Sequence, residues 1–152
     1  MFNNIAVLID ADNISANKAD WIFNKISELG TIGIKRIYGD FTKSHLLPWE
    51  TPTLKYAIEK QHQTSYSTGK NSSDIALVID AIDLWHTKNY DAFCIISSDS
   101  DFIRLTVRLR RNGVQVFGFG EDKTNTAFRQ ACSKFFNVSS ITTPSNPPLS
   151  LP

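Results

Sequence analysis

The chain has 152 residues, with 16 Lys and Arg against 15 Asp and Glu and a formal net charge of +1. That length suffices for one domain with its own core, and the charge balance gives no overall field to draw the molecule onto nucleic acid, so any basic face must be local. The two cysteines, Cys94 and Cys132, lack metal-ligand spacing, which argues against a disulfide framework and fits a reducing compartment. Met1-Phe-Asn-Asn4 has no charged stretch leading into an apolar one, so no signal peptide is read there. No apolar run approaches the roughly 18 residues of a membrane span. The expectation is a soluble, cytoplasmic protein without membrane attachment.

Ile5 to Ile9 is an unbroken apolar run, mostly β-branched, and reads as a strand buried on both faces. It stops at Asp10, Asp12 and Asn13. Ala16 to Leu29 has helical spacing through Trp21, Ile22, Ile26 and Leu29, and Gly30 is a stop signal. Ile32 to Tyr38 predicts a second strand, ending at Asp40. Phe41 to Trp49 reads as a loop. Pro52 suits the first turn of a helix running to about Gln61, with Thr51 as its cap. A short strand is expected near Thr64 to Ser67, and Gly69 to Ser73 as a loop. The helix from Asp74 to about His86 places Ile75, Val78, Ile79, Ile82 and Trp85 on one side. Cys94 lies within the buried strand Phe93 to Ile96, as a small core residue. Phe102 to Arg111 is helical, closed by Asn112-Gly113. Val114 to Phe119 is a strand, Thr124 to Ser133 a short helix, and Phe135 to Val138 a last strand. Residues 1–140 thus form one domain, and 141–152 a Pro- and Ser-rich flexible tail. Alternating strands and helices imply a three-layer α/β/α sandwich on a mostly parallel central sheet.

Two strands end alike, in Asp10-Ala-Asp12 and in Asp99-Ser-Asp101. Parallel strands bring both ends to one edge of the sheet, where open α/β sheets bind their ligands. Asp74 opens a helix after a polar loop and can join them. Carboxylates pooled in one cleft repel one another unless a cation sits among them, and hard oxygen ligands suit Mg²⁺ or Mn²⁺. Such ions activate water and stabilise the leaving oxygen of a phosphodiester. Asn13 supplies a neutral oxygen or a donor nearby. Capping is an equal reading of Asp12, Asp74 and Asp101 taken singly, since Asp favours helix N-termini. Asp10 and Asp99 are read as functional, because each follows a strongly apolar strand. Asp80 is assigned a supporting or structural place and Asp83 the surface. Asp40 either joins the cleft or starts a turn.

Four motifs in order, Val7-Leu-Ile-Asp-Ala-Asp-Asn13, Ile37-Tyr-Gly-Asp40, Lys70-Asn-Ser-Ser-Asp-Ile-Ala-Leu-Val-Ile-Asp80 and Ser97-Ser-Asp-Ser-Asp-Phe102, resemble those of NYN domains, the LabA-like group of the PIN-like nuclease superfamily. The resemblance covers Ile5 to Val138. It implies a PIN-like fold and a metal-dependent ribonuclease site. It also implies metal-binding roles for Asp10, Asp74 and Asp99, with Asn13 and Asp101 supporting the metal or the attacking water. Asp101 is counted with the metal-binding acids. RNA-binding domains often accompany this family; such a domain is either absent here or supplied in trans, and homodimerisation stays open.

Arg104, Arg108 and Arg111 recur at i, i+4 and i+7 and form a basic stripe starting near the acids, while Lys70 precedes Asp74. These four are the candidate RNA contacts, positioning a phosphate backbone of single-stranded RNA without reading sequence. An ordinary solvated helix face is the other reading of the stripe. Lys43 and His45 follow Asp40, and Lys123 and Arg129 follow the fifth strand. Tyr66 and Trp49 are either base-stacking or packing residues, and His62 and His86 are incidental. Two alternatives to a ribonuclease remain. One is a haloacid-dehalogenase-type phosphatase, with Asp10 as nucleophile and Asp12 as acid/base. The other is a catalytically inactive RNA-binding or regulatory module.

Overall fold

The computed structural model describes residues 1–64, 72–87 and 89–139. Among them six strands form one sheet: β1 (Phe2–Asp10), β2 (Gly30–Gly39), β3 (Glu59–His62), β4 (Ala92–Ile96), β5 (Gln115–Gly120) and β6 (Lys134–Asn137). The spatial order is β3-β2-β1-β4-β5-β6 and every neighbouring pair is parallel. The chain moves outward from β1 to β3, then returns to lay β4 on the other side of β1. The order therefore reverses between β1 and β4, and a crevice opens there beyond their carboxyl ends.

Among the described residues five α-helices cover the two faces: α1 (Ala19–Leu29), α2 (Glu50–Lys55), α3 (Ser72–Thr87), α4 (Ile103–Arg111) and α5 (Thr126–Ala131). Strand alternation divides the core in two. Ile5, Val7 and Ile9 pack with Ile22, Phe23 and Ile26 of α1 and with Leu46 and Trp49. Ala6, Leu8, Phe93 and Ile95 pack with Leu77, Ala81 and Leu84 of α3, Leu105 and Leu109 of α4, and Phe128 of α5. This is the three-layer α/β/α sandwich that the alternating pattern predicts, with a wholly parallel sheet. Both cysteines are buried and free, as small core residues. No helix among the described residues is long and apolar enough to cross a membrane.

Several local expectations need correction. Residues 44–49, expected as a loop, form a 3₁₀ helix, Ser44–Trp49, that runs directly into α2. Thr51 is therefore inside the helix rather than capping it. The helix expected to reach Gln61 stops at Lys55, because Ala57 takes a left-handed conformation at φ 53°. Glu59–His62 then pairs with β2 as the sheet's edge. Nothing apolar alternates in Glu-Lys-Gln-His, and its strand conformation comes from the backbone ladder alone. The strand expected at Thr64 to Ser67 does not form at Thr64, and its remainder lies outside the described residues. Gly30 is the stop expected after α1: its N–H donates to the Ile26 carbonyl, in extended rather than left-handed backbone. It begins β2 in extended conformation, and a Cβ there would meet the carbonyl oxygen of Phe2 at 2.1 Å. By contrast Gly113, at φ 87°, is the left-handed stop expected after α4.

The face assigned to α3 holds only in part: Val78, Ile82 and Trp85 pack partly buried against the core. Ile75 and Ile79 are 53% and 57% exposed, whereas Leu77, Ala81 and Leu84 are buried. Apolar residues surround this helix on more than one side, so periodicity alone does not choose the buried stripe. Leu77→Ala is accordingly expected to cost about 2–5 kcal/mol and Ile79→Ser less than about 0.5 kcal/mol. Urea unfolding of the two variants checks this; a larger loss for Ile79→Ser would reverse the assignment.

Candidate metal centre

β1 carries its alternation through to its last residue. Asp10 has the parity of Ala6 and Leu8, which is the side of the sheet that α3 covers. α3 begins at Ser72 and presents Asp74 in its first turn. β4 ends at Ile96, and Asp99 follows in the connection to α4. One carboxylate oxygen from each of Asp10, Asp74 and Asp99 lies within 4.8 Å of the other two. The cluster sits at the β1/β4 reversal of strand order.

Asp10 is 1% exposed. Its Oδ2 accepts hydrogen bonds from Asn13 Nδ2 at 2.8 Å and Ser97 Oγ at 2.7 Å. Its Oδ1 is buried with no hydrogen-bond partner. Burial is the main cause that pushes its pKa from 3.8 up to about 6, against the lowering effect of the Ser97 and Asn13 bonds. Asp74 is pushed further, to about 8, first by desolvation, then by the charge on Asp10 and a hydrogen bond with Asp99. Desolvation and mutual repulsion both disfavour the ionised cluster, and a divalent cation would offset both. An unpartnered buried carboxylate oxygen beside two further acids fits a hard divalent ion with oxygen ligands. The donor set therefore suits a hard divalent cation.

The remaining candidates have different places. Asn13 binds Asp10 directly, so it orients the buried acid. Asp101 is outside the three-acid group; its backbone N–H donates to Asp99 Oδ1 at 2.9 Å, and its charge adds to the pressure on Asp74. Asp12 is paired with His45 Nε2 at 2.7 Å. Asp40 is buried and accepts from the backbone N–H of Thr42, a turn-forming role outside the cluster. Asp80 receives the Tyr38 hydroxyl and the Arg36 guanidinium, which fastens α3 to β2, and Asp83 is exposed. His62, read as incidental, accepts from the backbone N–H of Phe41. Trp49 is 2% exposed and packs in the core, so it is no stacking platform. Arg104, Arg108 and Arg111 are exposed and line a shallow groove on α4 with Ile103 and Val107. Lys70 and Tyr66 lie outside the described residues.

Ser97 is a site residue that sequence reasoning does not single out. It is fully buried, donates to Asp10 and accepts from the backbone N–H of Asp99 at 2.9 Å. One hydroxyl thus sets two of the three acids relative to each other. The only signal for it is position: it is the first polar residue after an apolar strand that points into the same edge.

Residues 4–140 match the model of the NYN domain family. The chain belongs to the NYN family. This NYN domain therefore falls in the PIN-like nuclease superfamily, and its acidic cluster is present. No functionally curated protein matches the chain. Among solved structures, a protein of unknown function, VPA0982 from Vibrio parahaemolyticus RIMD 2210633, is similar at a TM-score of 0.71 and 15% identity, over 90% of this chain and 93% of that one. That likeness concerns the fold alone. The glycotransferase of kitacinnamycin aligns at a TM-score of 0.39 and 9% identity, over 78% of this chain and 30% of that one, too weak a likeness to carry an argument.

Proposed function

We propose that this NYN domain is a divalent-metal-dependent ribonuclease of the LabA-like group that hydrolyses phosphodiester bonds of single-stranded RNA. The observation that carries the reading is the buried, unpartnered Oδ1 of Asp10 next to Asp74 and Asp99. A bound Mg²⁺ or Mn²⁺ would supply Lewis-acid activation of a water and charge stabilisation of the phosphodiester. Asp10, Asp74 and Asp99 would hold the ion. Asn13 and Ser97 fix the Asp10 carboxylate, and Ser97 also fixes the Asp99 backbone. Asp99 or Asp101, the latter exposed beside the cluster, would orient or deprotonate the attacking water. Arg104, Arg108 and Arg111, with Lys70, which precedes α3 in sequence, would hold the RNA backbone. Family membership supports this reading over the haloacid-dehalogenase alternative.

The test is cleavage of a fluorescent single-stranded RNA by wild type and Asp99→Asn, with Mn²⁺ or EDTA. Cleavage that requires Mn²⁺ and is lost in the variant is the expected result. Cleavage that survives the substitution would remove Asp99 from the site. Absence of both cleavage and a thermal response to Mn²⁺ would favour a binding module, and trapping by beryllium fluoride would favour the phosphatase.

A further inference from the structure

A cleft of about 400 Å³ opens beyond the end of β1, between the loop that follows β1 and those that follow β2 and β5. That is within the size range of small-ligand sites. It adjoins the acid cluster through Asn13, which lines the cleft and donates to Asp10. Its wall is apolar at Ile14, Pro48 and Trp49. Its rim is polar, and the polar groups divide into committed and uncommitted ones. Asp12 is hydrogen-bonded to His45, and Glu121 accepts from the backbone N–H of Ser15 at 3.1 Å, so both carboxylates have internal partners. Ser15 Oγ donates to Asn17 Oδ1 at 2.9 Å, which leaves the Asn17 NH₂ as a donor. Lys123 is exposed and makes no hydrogen bond or ion pair among the described residues.

We propose that this cleft is a subsite for one unpaired nucleotide of the RNA, the neighbour of the phosphate held at the acids. The inference rests on the ribonuclease reading for the ligand's identity. The cleft would receive a base and ribose against Pro48, its exposed apolar residue, with the Asn17 amide at a base edge and Lys123 at the phosphate. A base within a duplex cannot enter such a cleft without leaving its stack, so the subsite selects single-stranded RNA. Asn17 and Lys123, donors from separate loops, both line this cleft, although sequence spacing relates neither to the other.

The experiment uses adenosine 5′-monophosphate and the full chain in EDTA, so that neither metal nor cleavage is needed. Amide and Trp49 indole shifts in ¹H–¹⁵N NMR spectra are followed during titration. Saturable shifts confined to the cleft are expected. Lys123→Ala should weaken binding about tenfold, the scale of a lost charge-assisted hydrogen bond. Ala16→Phe, which adds a ring to the cleft wall, should abolish it, while Asp10→Asn should leave it unchanged. Shifts elsewhere, no saturable binding, or binding indifferent to both cleft substitutions would overturn the subsite. Binding in the cleft without any metal-dependent cleavage would instead remove the ribonuclease reading and leave a nucleotide site.

Discussion

Asp10→Asn is expected to lower Mn²⁺-dependent RNA cleavage by about 10²–10³-fold or more, the scale seen when one electrostatic element of a preorganised site is removed. The same change should make the metal-free protein more stable near pH 8, which separates this residue from an ordinary core position. At that pH a buried carboxylate whose pKa is raised from 3.8 to about 6 has been forced to ionise in a dry environment beside other acids. That rise corresponds to about 3 kcal/mol of penalty, and an isosteric amide does not carry it. Asn at position 10 keeps one oxygen to accept from Ser97 and Asn13. Kinetics in Mn²⁺ and a urea melt in EDTA measure the two effects. A variant that loses activity and stability together would mean that Asp10 is structural. One that keeps full activity would remove it from the site.

This opposition between stability and function also explains which parts were legible in the sequence. β1 and β4 are unbroken apolar runs, and a run of that kind has few alternatives to a buried parallel strand. Their ends were legible for the same reason: Asp10 follows its run directly and Asp99 follows its own after two serines, and acids at that edge are costly unless they have a use. Asp10 and Asp99 can therefore be paired from the residues alone. Asp74 is harder, because an acid at a helix start is favourable in its own right. β3 was not legible, since Glu59–His62 owes its conformation to pairing with β2 and to the turn at Ala57. Neither has a local signature. The buried face of α3 was legible only in part, for the opposite reason: its apolar residues are too many to define one stripe. Ser97 could not be distinguished from the other serines of its loop, because what matters is the pair of hydrogen bonds it makes across chain-distant groups.

The acid cluster also fixes how the protein should respond to pH. Asp10 and Asp74 both hold their protons more tightly in the folded state than in the unfolded chain. A group of this kind contributes stability that is complete below its unfolded pKa and is lost as pH rises through its folded pKa. The metal-free melting temperature should therefore fall between about pH 4 and pH 8, first through the Asp10 range near 6 and then through the Asp74 range near 8. Mn²⁺ should reverse the trend. It competes with the protons, so its stabilisation should be small at pH 5 and grow toward pH 8, reaching about 2.7 kcal/mol at a hundredfold excess over the dissociation constant. For a domain of this size that is a rise of roughly 5–11 °C. Differential scanning fluorimetry across pH, with Mn²⁺ or EDTA, reads both curves at once. The two should diverge as pH rises. Parallel curves would mean that the carboxylates meet in space without acting as a site, and the case for metal-dependent catalysis at Asp10, Asp74 and Asp99 would be lost.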